Sequence, residues 1–281
     1  MYDLGPYKDH KTFDIFNSIS DKAFRCFNNG FAKEQEKLDS AFHHHLVRFK
    51  YIAETTSASI RLINSWTFTI PALTLLRSRF EQLVVCSYLI NEDVKIGLER
   101  YIKYGPINSY RQHQMACKDD QLRSSLSAMV DDKKIYDEAF ANQKCLNEEF
   151  SENDRFQKKW TSLDLLSMVK RRDFLSMSSM LPYNRLEHDY LTIYVVLSSL
   201  VHADISSVND SFLNCYIHKD KIVLMSSPFW MSLAMICCAK YDIMQCFEMS
   251  NCLGFSCSSE YIEIMKYWEE MKDKVVKESD G

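Results

Sequence analysis

The sequence predicts an all-α fold, a multi-helix bundle with one small β-hairpin insertion near residues 215 to 225, and three observations lead there. Gly occurs six times and Pro five times in 281 residues, so the turn vocabulary of sandwiches and barrels is nearly absent. Apolar residues return at steps of three and four, as a buried helix face requires. With 46% hydrophobic and 26% charged residues, the chain has an ordinary globular composition, enough to bury a large core. That is not the composition of a disordered chain.

Phe13, Phe16, Ile19, Ala23 and Phe27 form the first stripe and predict a helix over residues 9 to 28, closed by Asn28-Asn29-Gly30. The pattern resumes over residues 32 to 66, with a break expected at Thr55 to Ser59, where small and β-branched residues have weak helix propensity. Pro71 suits a first helical turn, and Leu75, Leu76, Phe80, Leu83, Val84 and Leu89 carry one apolar face to Asn91. That helix is expected at the centre. Another runs from Asp93 to Tyr104, up to Gly105-Pro106. From Ser109 to Lys158 the chain is polar, so exposed helices and a mobile connection at Ser151 to Lys159 are expected.

Thr161-x-x-Asp164 resembles a capping box opening a short helix through Leu165, Leu166 and Val169. Residues 185 to 205 make the next long helix. Cys215 to Met225 holds two short β-prone runs around a polar tip, which predicts the hairpin. Ser226-Ser227-Pro228 then starts a helix that reaches about Asn251 and is ended by Gly254, and a last amphipathic helix spans Ser259 to about Lys277. Without repeats or low-complexity linkers, residues 1 to 281 read as a single helical domain with a polar excursion at about 109 to 160.

The net charge of -4 supplies no broad basic field for nucleic acid. Ten cysteines are present, but the chain opens Met-Tyr-Asp-Leu-Gly-Pro with no secretory leader, so reduced thiols and a cytoplasmic location are expected. The most apolar stretch, Pro228 to Ala239, is far shorter than the roughly 20 residues a bilayer demands. No membrane association is expected. Gly-x-Gly-x-x-Gly, the Walker loop, His-Glu-x-x-His and Gly-x-Ser-x-Gly are all missing. None of the eight histidines has Glu three residues before it, against a di-iron bundle. Cys237, Cys238, Cys246, Cys252 and Cys257 form no Cys-x-x-Cys pair and read as small buried thiols. No cofactor and no metal site is expected. His43-His44-His45 fans around a helix and reads as surface, and Lys170-Arg171-Arg172 reads as a solvated basic helix end.

One constellation asks for partners. Arg77 and Glu81 are four residues apart on the central helix, and Tyr194, Ser198 and His202 advance by fours within the 185 to 205 helix. Packing these two helices together would let the five side chains satisfy one another away from water. If that site is catalytic, His202 is the general acid/base, Arg77 stabilises phosphate charge and Glu81 orients one of them. If it is structural, it locks the two helices.

Leu75-Leu76-Arg77-Ser78-Arg79-Phe80-Glu81 with Tyr88-Leu89, and Tyr194-Val195-Val196-Leu197-Ser198-Ser199-Leu200-Val201-His202, resemble the motifs of a bacterial helical family, domain of unknown function 5677. The resemblance covers roughly residues 60 to 210 and implies an all-α fold with no established activity. Such families also look loosely like the HEPN helical nucleases of toxin and anti-phage systems. Those nucleases carry Arg and His one to two turns apart on one helix, whereas no histidine here has an Arg at that upstream spacing. Arg77 would have to supply it from another helix. Two functions follow as expectations: a cytosolic interaction or effector module in bacterial phage defence or stress response, and a metal-independent ribonuclease using His202 and Arg77. A protein partner or self-association is expected, and RNA stays open as a partner.

Overall fold

The computed structural model describes residues 10–34, 41–64, 69–91, 94–116, 118–119, 132–150, 160–175, 185–201, 213–218, 221–226 and 228–279. They are overwhelmingly helical, and two compact units are formed. One comprises Met1–Asn91 with Leu165–Gly281, the other Glu92–Asp164.

The larger unit is built around α9 (Pro228–Cys252). Every residue from 234 to 250 on it is buried, which is why it shows no polar face: a helix covered on all sides must be apolar all round or satisfy its polar groups internally. Around it pack α1 (His10–Glu34), α2 (Ala41–Ile63), α3 (Thr69–Asn91) and α10 (Ser258–Ser279). Gly254, at φ +74, ends α9. The Gly254 amide donates to the Asn251 carbonyl at 3.1 Å and the Phe255 amide to that of Ser250 at 2.8 Å, the paired bonds of a Schellman cap.

Two expected helix ends in this unit are corrected. α1 runs through Gly30, because that glycine is a contact point: a Cβ there would lie 2.8 Å from Cδ2 of Phe255. α2 runs unbroken through Thr55 to Ser59. The hydroxyls of Thr55, Thr56 and Ser59 each donate to the carbonyl four residues earlier at 2.9 Å, satisfying themselves inside the helix.

The remaining elements are α6 (Leu165–Leu175), α7 (Leu186–Asp189), a π turn at Tyr190–Tyr194 that leads directly into α8 (Val195–Val201), and two strands. The Thr161 hydroxyl accepts the Leu163 amide at 3.2 Å, two residues on rather than three. Residues 202–205 of the expected 185–205 helix lie outside the described residues. β1 (Leu213–His218) pairs antiparallel with β2 (Lys221–Ser226), Leu213 opposite Ser226 and His218 opposite Lys221.

The smaller unit takes in the polar stretch that reads as an excursion in the sequence. It holds α4 (Val94–Ala116) and α5 (Asp132–Phe150) with a core of Tyr104, Ile107 and Ala139, on which Tyr110 and Trp160 pack. Gly105-Pro106 does not end α4, another correction: Tyr104 and Ile107, on either side of it, are both anchored in that core. The mobile connection expected at Ser151 to Lys159 lies outside the described residues.

Candidate functional site

Helix α3 packs along α8, and between them Arg77, Glu81 and Tyr194 close a polar triangle. The Tyr194 hydroxyl donates to Glu81 Oε1 at 2.8 Å and accepts from Arg77 Nη2 at 3.4 Å. Arg77 Nη2 also lies 3.2 Å from Glu81 Oε1, and its guanidinium sits 5.5 Å from the centre of the Tyr194 ring. Burial raises the Tyr194 hydroxyl above a phenol's ordinary value; the bond to Glu81 adds to this and the bond from Arg77 opposes it. Desolvation works against the Arg77 charge, yet Tyr194 and Glu81 outweigh it and raise the guanidinium. Arg77 Nε is buried with no hydrogen-bond partner among the described residues.

The π turn makes this geometry. Its wider i→i+5 spacing brings side chains four apart nearly into line, so Tyr190 and Tyr194 stack with centroids 5.0 Å apart at 21°. Phe80 meets both rings, at 6.5 and 5.4 Å. The other side of the same turn is exposed: Leu191 by 59% and, one turn later, Val195 by 45%. Ser198 is half-buried on α8 and forms no bond to Arg77, Glu81 or Tyr194 among the described residues. His202 lies outside the described residues.

A second polar system, not singled out in the sequence, runs along α9. Arg79, two residues from Arg77, is 0% exposed. Its Nε donates to the Ser57 hydroxyl at 3.1 Å, its Nη1 to Gln245 Oε1 at 2.6 Å, and its Nη2 to the Tyr241 carbonyl and Asp242 Oδ1, both at 3.1 Å. Burial raises the Asp242 carboxyl above the usual range, while Arg79 and the hydroxyls of Ser57 and Ser20 hold it down. Further along, Lys240 Nζ reaches both carboxylate oxygens of Asp189 at 2.8 and 2.7 Å, and Glu248 accepts from Arg172 and from Asn91 Nδ2.

Arg172 overturns the solvated-end expectation for Lys170-Arg171-Arg172. Only the first two residues are exposed; Arg172 is buried between Glu248 and Asp173. Asp173 in turn accepts the Leu186 and Glu187 amides at 3.1 and 2.9 Å, holding the start of α7. A signal for all of this stands in the sequence: Lys240, Asp242, Gln245 and Glu248 interrupt a helix with no exposed face to put them on.

The family of unknown function DUF5677 matches residues 39–219, well over half of the chain. The chain belongs to this family. No curated protein and no solved structure matches it. The DUF5677 segment carries Arg77, Glu81, Tyr194, Ser198 and His202, and it supplies one member of three buried ion pairs: Arg79, Arg172 and Asp189. The other members, Asp242, Glu248 and Lys240, come from α9 beyond it. Helix α9 thus faces these three charges of the family segment with opposite ones.

The thiols of Cys86 and Cys238 are poor nucleophiles. Burial pushes Cys86 and Cys238 up to about 12, keeping both protonated at neutral pH. Among the described residues no cluster of His, Cys, Asp and Glu could hold a metal ion, and no helix is long and apolar enough to cross a membrane. His43 and His45 are half-buried and His44 exposed on α2.

Proposed function

We propose that the chain is a cytoplasmic interaction or effector module of a bacterial defence or stress response, acting through the outer side of the π turn. One observation carries this: Arg77, Glu81 and Tyr194 hold the turn from within while leaving Leu191 and Val195 exposed one turn apart. An apolar pair on a braced support loses little entropy when another surface covers it. The partner is another protein surface of apolar character, because the chain's net charge of -4 disfavours polyanions. A photo-crosslinking side chain in place of Leu191, activated in cells, tests it against the same group at exposed Glu263 on α10. Adducts of defined mass specific to position 191 are expected, a doubled chain mass meaning self-association. Equal adducts at both positions, or none, overturn the reading.

A second reading, a HEPN-like ribonuclease using Arg77 and His202, is favoured by one fact. Arg77 is bonded to Tyr194, which stands eight residues before His202 on the chain segment leading to it.

A further inference from the structure

Away from the π turn, the C-terminal half of α1 and the start of α10 enclose a cleft of about 380 Å³, within the size range of small-molecule sites. Its floor is Phe255, pressed onto Gly30 and set edge-on to Phe27 at 5.5 Å. From α1 the wall presents Lys22, Arg25 and Lys33, with the carboxylate of Glu34 next to the last of them. Eleven residues are close to three whole helical turns, so Lys22 and Lys33 fall on one line, about 16 Å apart along the axis, with Arg25 beside it.

All three cations are exposed, and none pairs with a carboxylate among the described residues. Arg25 directs its Nε to the Asp21 carbonyl at 3.2 Å, which holds the guanidinium and leaves its terminal nitrogens for another acceptor. Lys22 Nζ lies 5.0 Å from the centre of the Tyr267 ring. At the base, burial and the neighbouring Cys257 push Cys26 up to about 12, so no thiolate charge opposes an anion there. Facing the stripe, Ser256 offers a hydroxyl and Ile264 an apolar surface, while Glu260 already accepts from the Ser259 hydroxyl at 3.0 Å.

We propose that this cleft binds a small organic phosphate of mononucleotide size, its phosphoryl group on the Lys22, Arg25 and Lys33 stripe. The two ammoniums act as point charges and the guanidinium as a two-pronged donor, the combination that favours a phosphoryl group. The span of the stripe exceeds a lone phosphate, and Ile264 gives the organic body an apolar contact.

Calorimetric titration of the full chain with adenosine monophosphate, inorganic phosphate and adenosine tests this. The nucleotide should saturate and bind at least about tenfold tighter than either inorganic phosphate or adenosine. A Lys22→Glu/Lys33→Glu variant should lose at least about tenfold in affinity, and Arg25→Gln a smaller amount. Lys274→Glu, an exposed charge reversal outside the cleft, should change nothing, and all variants should keep the wild-type melting temperature. Three results overturn the proposal: no saturable nucleotide binding, adenosine binding as tightly as the nucleotide, or unchanged affinity in the Lys22→Glu/Lys33→Glu chain.

Discussion

Arg79 and Asp242 are both fully buried, so neither can lose its partner cheaply. Removing one member of a buried ion pair costs about 3–5 kcal/mol because the other charge is left uncompensated. Arg79→Ala should destabilise by that amount in urea melts, whereas Arg79→Met with Asp242→Leu should recover most of it. A double variant as unstable as Arg79→Ala would show that the pair contributes more than its own neutralisation. Burial lifts the folded-state value of Asp242 above that of an exposed aspartate. Between the two values the folded chain therefore holds more protons than the unfolded one, and the contribution of Asp242 to stability falls as pH rises through that window. The stability of the wild type relative to Asp242→Asn should accordingly grow as the pH is lowered through the acid range; a difference independent of pH would contradict the shift. At the half-exposed Tyr194, loss of the hydroxyl in Tyr194→Phe should cost only about 1 kcal/mol, read by the same melts.

Gly30 shows how an element can depend on an absent side chain. Alanine normally favours a helix interior by about 1 kcal/mol, but here its Cβ would meet the Phe255 ring at 2.8 Å. Gly30→Ala should therefore lower the melting temperature, and a rise would mean that the Phe255 contact yields freely. The π turn is a similar case. Deleting exposed Thr192 should restore ordinary i→i+4 bonding, leave α8 close to its present orientation, and put Tyr194 three residues after Tyr190 instead of four, setting the two rings about 60° apart around the axis. Near-ultraviolet circular dichroism should lose intensity while the far-ultraviolet helical signal stays; an unchanged near-ultraviolet spectrum would contradict the stacking. Helix positions were legible from apolar spacing because that spacing is a direct image of burial. Helix ends at Thr55 to Ser59 and Gly105-Pro106 were not, because back-bonded hydroxyls and the core contacts of Tyr104 and Ile107 outweigh local propensity.

Across the whole chain, the spacing of Arg77, Glu81 and Tyr194 announced a shared site, and those three meet. Arg79 escaped notice because an arginine amid apolar residues reads as surface unless its distant partners, Asp242 and Gln245, are known to face it. Arg172 escaped for the same reason, lying 76 positions from Glu248. The family segment and α9 thus fold as one electrostatic system, with the Arg77, Glu81 and Tyr194 triangle bracing the π turn at its edge. We propose that this triangle positions a binding surface and does not cut RNA. Incubating the purified chain with mixed RNA in EDTA, beside His202→Ala and Arg77→Ala, tests it most directly. RNA incubated with the wild type should stay as intact as in the protein-free control. Cleavage by the wild type that His202→Ala abolishes, at an unchanged melting temperature, would contradict it.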